Sequence, residues 1–257
     1  MSLTKNMVGP SKTTRFALVL LLSVFAGSVS ATQPAHAAQP PLTLDGVGKF
    51  TLGTATAQSL TTSQGHDVII LVIVDSAPDD NIVISSVVDS SGLTFTLRVA
   101  YTPSAKLWEY YARATSPLNM DNITVISSGD VSGWLEIQAL AIHGANTRAI
   151  FDQNPSIPEA VPCPGPTCSA SIQTSAFDFV IASVAINNGN GCVSCLGEGL
   201  QAPQGFTNIL YTGKTEVDYA ITTTSQSNVV YDCQSTETTD AMAIVVDAIS
   251  FNGAFRT

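Results

Sequence analysis

Short apolar runs separated by polar turns dominate the chain after residue 60. Residues 67–74 form a continuous β-branched run, which predicts a strand buried on both faces. Alternating segments predict further strands at 81–88, 93–101, 107–113, 123–127 and 134–143. The last of these also fits a helix, but its alternation and the flanking Gly133 and Gly144 favour a strand. This spacing predicts an all-β fold, a jelly-roll or Ig-like β-sandwich.

The second half of the chain repeats the pattern of the first. Five short segments recur in the same order at nearly constant spacing; Tyr110-Tyr111-Ala112, for example, is echoed by Asp218-Tyr219-Ala220. We therefore predict an internal duplication of a five-strand unit, with halves at 63–144 and 170–252. The Pro-rich segment 145–169 is interpreted as a stiff crossover inside one domain, 38–257.

Residues 38–62 have no counterpart in the repeat. Their composition predicts one or two added strands, at 47–52 and 54–61. A segment of this kind lies outside the repeated unit and is therefore available for a separate structural role.

The N-terminus has the pattern of a secretory signal peptide. Three basic residues precede the apolar run 16–27: Lys5, Lys12 and Arg15. The run is shorter than the roughly 20 apolar residues that span a bilayer, and small residues follow it. We predict a signal peptide over 1–37, cleaved after Ala37 or, alternatively, after Ala31. The exported chain, with no membrane span, is then secreted or displayed at the cell surface.

Charge excludes one class of partner. The chain has 20 acidic and 10 basic residues, and three of the basic ones lie in the leader. The exported part therefore carries 7 basic against 20 acidic residues, a formal charge of −13. Such a surface repels phosphate backbones, so nucleic-acid binding is not expected.

All five cysteines lie in the exported part: Cys163, Cys168, Cys192, Cys195 and Cys233. Disulfides persist outside the cytoplasm, and the first four, which lie in the long segments 145–169 and 187–204, are the disulfide candidates. A zinc site is the weaker interpretation, because the spacing is loose. Pairing stays open, and an odd number leaves one thiol over.

The exported chain offers little catalytic chemistry. It keeps only His66 and His143 and has no nucleophile motif, so a catalytic triad is not expected. Glu216 and Asp218 would share one face of a strand, as paired carboxylates do in some jelly-roll glycosidases, but the second glutamate of that pattern is absent. We expect a protein that is not an enzyme.

Two binding sites are compatible with the side chains. Asp75, Asp79 and Asp80 cluster in one turn and are candidate Ca²⁺ ligands, with a solvated hairpin loop as the alternative. No other cofactor is predicted. Trp108 and Tyr110 share a strand face and, with Trp134, are candidates for sugar stacking, with core packing as the alternative.

Asn122-Ile123-Thr124 is an N-glycosylation sequon. It begins a predicted strand beside Asp121, where we expect it to be exposed.

Several segments carry a resemblance to known proteins: residues 91–96 (Ser-Gly-Leu-Thr-Phe-Thr), 109–112 (Glu-Tyr-Tyr-Ala) and 141–147 (Ala-Ile-His-Gly-Ala-Asn-Thr). Over most of 60–255 the chain resembles secreted microbial cell-surface β-sandwich proteins, and it is more loosely similar to archaeal extracellular filament subunits. The second resemblance implies a subunit whose N-terminal strand completes the sandwich of the next subunit, a role open to residues 38–62.

Three functions follow from these observations. The leading one is an exported, non-enzymatic structural or adhesive protein. Its partners would be further copies of itself, joined through strand edges, or surface glycans. The first alternative is a carbohydrate-binding module, and the second is a jelly-roll glycosidase centred on Glu216 and Asp218.

Overall fold

The fold is known from a computed structural model that describes ten stretches of the chain. These are residues 41–49, 56–75, 81–103, 105–129, 135–164, 167–175, 177–187, 205–212, 215–234 and 241–253. The predicted signal peptide, 1–37, lies outside them. Every regular element within these stretches is a strand, and none of them contains a helix able to cross a bilayer.

The described strands are β1 (Thr43–Val47), β2 (Ala57–Leu60), β3 (Asp67–Asp75), β4 (Val83–Val88), β5 (Thr96–Tyr101), β6 (Lys106–Ala114), β7 (Asp121–Ser128), β8 (Leu135–His143), β9 (Glu159–Pro164), β10 (Thr167–Thr174), β11 (Asp178–Asn187), β12 (Thr207–Tyr211), β13 (Thr215–Ile221), β14 (Gln226–Gln234) and β15 (Ala241–Ser250). The predicted all-β sandwich is confirmed. Strands β3 to β8 lie where the continuous apolar run 67–74 and the alternating segments after it predicted them.

The strands form two large sheets and two smaller ones. The first large sheet has the order β1-β8-β3-β6-β5, and the second has the order β12-β13-β11-β15-β9. The first outer sheet is β2-β7-β4, and the second outer sheet is β10-β14. All the pairings between named strands are antiparallel.

The sheets stack in four layers, with the large sheets in the middle. Val68 and Ile70 of β3 pack in a core shared by the two large sheets. Ile69 and Leu71, on the other face of β3, pack against the first outer sheet. A third core joins the second large sheet to the second outer sheet. The long apolar run in β3 follows from this position, because both faces of the strand are covered.

The two large sheets have the same strand order. Read from the β1 edge, the first is β1-β8-β3-β6-β5; read from the β9 edge, the second is β9-β15-β11-β13-β12. This is the order that a duplication predicts, while common ancestry of the halves stays a prediction. Register defines equivalent positions: Val68 faces Ile142 across one strand pair, and Phe179 faces Ile249 across the matching pair.

Three details differ from the sequence-based expectation. Residues 38–62 were expected to have no counterpart, but their strand β1 holds the same edge position in the first large sheet as β9 in the second. Strand β1 ends at Val47, where the first added strand was predicted to begin, because β1 pairs with β8 from Thr43 onward. The Pro-rich segment predicted as a crossover contains β9, which lies at the edge of its sheet. An edge strand bonds on one side only, so it tolerates the missing N–H of Pro162.

Candidate functional site

The aromatic residues predicted to stack on sugars lie in the core. Trp108 is 6% exposed and Tyr110 is 9% exposed, and both pack between the first large sheet and the first outer sheet. Their rings offer no stacking face to an external ligand, which corrects the expectation of a sugar-binding platform on β6. The physical reason is that the first outer sheet covers this face of β6. Trp134 lies outside the described residues.

The predicted calcium ligands are only partly described. Asp75 is buried at the end of β3, where its Oδ2 accepts a hydrogen bond of 3.0 Å from Lys106 Nζ. A carboxylate already neutralised by a lysine has little charge left for a cation. Asp79 and Asp80 lie outside the described residues. In the part of the chain that the structure covers, His, Cys, Asp and Glu form no cluster of three able to hold a metal ion.

Glu216 and Asp218 share one face of β13, as the alternation predicted, and both are fully buried. The Asn208 side-chain amide bridges them, donating to Asp218 Oδ1 at 2.8 Å and to Glu216 Oε1 at 3.4 Å. The arrangement is an internal polar network, and the described residues leave neither carboxylate exposed to solvent.

The cysteine and glycosylation candidates have defined backbone positions. Cys163 lies in β9, and Cys168 in β10 is directly opposite Cys233 of β14 in the strand register. Cys192 and Cys195 lie outside the described residues. Asn122 is exposed in β7, and its side-chain amide donates to Thr124 Oγ1 at 3.2 Å. The sequon is therefore accessible.

A charged group that the sequence did not single out lies between the two large sheets. Arg98 occupies a β-bulge of edge strand β5 and reaches across to Asp247 of β15. Its Nε and Nη2 donate to the two oxygens of Asp247 at 2.8 and 3.2 Å. Glu109 of β6 lies against the same aspartate, and both acids are completely buried.

Burial sets the protonation of this group. Desolvation and the neighbouring Asp247 raise the pKa of Glu109 well above its usual value. Burial also raises the pKa of Asp247, and the guanidinium of Arg98 offsets part of this rise. Protonated Glu109 is then a donor to the Asp247 carboxylate, and Asp247 keeps the negative charge that Arg98 neutralises.

A cavity of about 350 Å³ opens beside this group. Arg98, Arg113 and Arg148 line it, together with Tyr111 and Phe151. The Arg98 guanidinium lies 3.9 Å from the centre of the Phe151 ring, and the Tyr111 ring meets Phe151 edge-on, with centroids 5.1 Å apart. Cation–π and edge-to-face contacts of this kind fix the orientation of all three side chains.

Carboxyl pairs are a second feature that the sequence did not reveal. Asp67 at the start of β3 meets Asp45 of β1, and Asp178 at the start of β11 meets Asp152. One oxygen of Asp67 and one of Asp178 find no N–H or O–H donor among the described residues. Below the raised pKa of Asp67 or Asp178 the side-by-side acids of that pair share a proton, and the pair then carries one negative charge instead of two.

The two pairs occupy equivalent positions in the two large sheets, because the residues before Asp45 and Asp152, Leu44 and Phe151, lie opposite the equivalent residues Ile142 and Ile249. Burial raises the pKa of Asp67 to about 6, partly offset by a 2.9 Å hydrogen bond with His143 Nδ1. Burial and the hydrogen bond with Asp152 raise the pKa of Asp178 to about 8. Backbone geometry also matches, since the residue before each of these two acids has a positive φ, 63° and 64°.

Comparisons of the chain with family models, curated proteins and solved structures each find no match. Function is therefore inferred from its own residues.

One sequence signal pointed toward the cavity: arginine is scarce after the leader, with only Arg98, Arg113, Arg148 and Arg256. That three of these four converge on one cavity is visible only in the fold, because they lie on β5, β6 and the segment after β8.

Proposed function

We propose that this chain is an exported, non-enzymatic structural or adhesive protein whose copies join by exchanging their N-terminal strands. The observation that carries the proposal is the place in the fold of β1 and β2, the two strands described within residues 38–62. Both are edge strands, one in the first large sheet and one in the first outer sheet. Each pairs with a single neighbouring strand of the described residues, and the backbone N–H of Lys49, just after β1, also donates to Ser59 O of β2 at 2.9 Å. The predicted leader at 1–37 supports export.

Edge strands can be replaced by the same strands of another copy without changing the contacts made. Strand β1 pairs with β8, and β2 pairs with β7. In an exchanged assembly both pairings form between copies, so the contacts within a monomer are a template for those between monomers.

A buried glutamine fastens this segment to the rest of the fold. Gln58 is 3% exposed; its Oε1 accepts from the backbone N–H of Ala139 at 2.6 Å, and its Nε2 donates to Ile137 O at 3.2 Å. The Gln138 amide donates in turn to Gly48 O at 3.3 Å. These bonds specify one register for the incoming segment, which is what an ordered assembly needs.

The test is a competition with a synthetic peptide of residues 41–62. We expect residues 38–257 to form oligomers or filaments that grow with concentration in light scattering and negative-stain microscopy. Excess peptide occupies the acceptor edges and should therefore shorten the oligomers or filaments. A matched peptide carrying Leu60→Asp is the control, because Leu60 is fully buried and a charge there prevents docking.

Two results contradict the proposal. One is a chain that stays monomeric at every concentration, and the other is an assembly that the native peptide leaves unchanged. Deleting residues 38–62 gives a second measure, because the shortened chain should bind the native peptide and no longer assemble by itself.

A further inference from the structure

The arginine-lined cavity has the charge of an anion-binding site in an acidic protein. Arg98, Arg113 and Arg148 bring three positive charges to its walls. Asp247 and the proton-sharing pair of Asp152 with Asp178 bring two negative charges. The cavity therefore has a net charge of about +1, although the chain as a whole has a formal charge of −10.

The three arginines are not equivalent. Arg98 is bound to Asp247 through two hydrogen bonds and stacks on Phe151, so its guanidinium group is held in place at the side of the cavity. Arg113 and Arg148 are exposed, and neither is in a salt bridge with a carboxylate of the described residues. Their guanidinium groups are available to a ligand, and guanidinium binds carboxylate through two parallel hydrogen bonds.

The rest of the lining favours a ring next to the acid. Half-buried Tyr111 supplies aromatic surface and exposed Pro155 supplies aliphatic surface on the same cavity, while Phe151 and Ile157, each 8% exposed, contribute little. Its volume of about 350 Å³ is at the lower end of the range for small-molecule sites. A single sugar ring offers one apolar face and a set of hydroxyls, and it is of the size that such a cavity holds.

We propose that this cavity binds a sugar bearing a carboxylate, with Arg113 and Arg148 holding the acid group and Tyr111 packing against the ring. The inference goes beyond the proposed assembly, because it does not depend on strand exchange. It gives an exported adhesive protein a partner of defined chemistry, an acidic surface glycan. The ligand site lies on the opposite face of β6 from Trp108 and Tyr110.

The experiment compares two ligands that differ only in the acid group. Galacturonate and galactose are titrated into residues 38–257 by calorimetry at low ionic strength. We expect heat of binding from galacturonate and none from galactose. Arg113→Gln and Arg148→Gln should each weaken galacturonate binding about tenfold or more. Lys49→Gln is the matched control, since Lys49 is an exposed cation that does not line the cavity. This variant should bind galacturonate as tightly as the native chain.

Three outcomes overturn the inference. Absence of galacturonate binding removes the site, and equal binding of galactose removes the role of the carboxylate. Sodium sulfate that binds as tightly as galacturonate shows a general anion patch without sugar recognition. Tyr111→Leu separates the last case further, because it should weaken galacturonate binding and leave any sulfate binding unchanged.

Discussion

The two large sheets place different chemistry at equivalent positions. Register equates Arg98, Glu109 and Asp247 of the charged group with Ile209, Val217 and Leu140. Val217 and Leu140 are fully buried in the core between the large sheets, and Ile209 packs against it. Both edge strands bulge at this place, β5 at Arg98 and β12 at Ile209. The same backbone thus accepts a charged group or an apolar one, so the charges are not needed to build the fold.

The carboxyl pairs teach the complementary lesson. The pair of Asp45 with Asp67 and the pair of Asp152 with Asp178 occupy equivalent positions, but their surroundings differ. His143 bonds to Asp67, whereas the position equivalent to His143 is Ser250, opposite Asp178 in the register. The pKa is about 6 for Asp67 and about 8 for Asp178. Burial is the largest cause of both raised pKa values, and the hydrogen bond with His143 lowers the pKa of Asp67 alone.

The largest expected effect on the free energy of unfolding comes from replacing one member of the charged group, compared with replacing all three. Arg98→Ile alone leaves Asp247 buried without a cation, and it should lower the free energy of unfolding by about 3–5 kcal/mol. The triple variant Arg98→Ile, Glu109→Val, Asp247→Leu carries at each position the residue found at the equivalent position. Its free energy of unfolding should equal or exceed that of the native chain.

Denaturant unfolding at constant pH measures both variants. If the triple variant is as unstable as the single one, the charged group contributes to the fold and the equivalence of the two sites fails.

A smaller effect is expected from the pH dependence of the carboxyl pairs. A raised pKa in the folded protein stabilises it below the unfolded-state value near 3.8, and this stabilisation is lost as pH rises through the folded-state pKa. For Asp67 the loss occurs between pH about 4 and about 6, and for Asp178 between about 4 and about 8. A tenfold change in proton affinity corresponds to about 1.4 kcal/mol, so a total change of a few kcal/mol in the free energy of unfolding is expected.

Asparagine variants assign these two windows. Asp178→Asn imitates the protonated acid and should remove the fall in stability between about pH 6.5 and about pH 8.5, as followed by denaturant unfolding. Asp67→Asn is the matched control, and it should keep that fall because its own window ends near pH 6. A native chain with constant stability from about pH 4 to about pH 8.5 contradicts the shared-proton interpretation of both pairs.

The smallest effect is expected from exchanging the one neighbour that differs. His143→Ser gives the first pair the residue found beside the second. Without the hydrogen bond from His143, the pKa of Asp67 should rise above about 6, and an additional loss of stability of about 1 kcal/mol should appear above that pH. NMR titration of the Asp67 carboxyl carbon measures the change directly, and an unchanged midpoint shows that His143 does not set it.

Much of the fold follows from patterns along the chain. The alternation of β8 predicted a strand because side chains of a strand point alternately to its two faces, and the unbroken β-branched run of β3 predicted a strand covered on both faces. The edge position of β9 was missed because prolines suggest a loop unless one side of the strand is known to be unpaired. The aromatic pair Trp108 and Tyr110 was assigned to a binding face because alternation shows that two side chains share a face, without showing what covers it.

The sequence by itself determined the all-β character, the repeated pattern and the acidic charge of this protein, because these depend on local periodicity and composition. Tertiary structure alone decided which charged side chains meet. Arg98 and Asp247 are 149 positions apart, and the members of each carboxyl pair lie on different segments. Their contacts depend on sheet order and on the packing of one sheet against another, and the local pattern is the same whether a carboxyl group faces solvent, an arginine or a second acid.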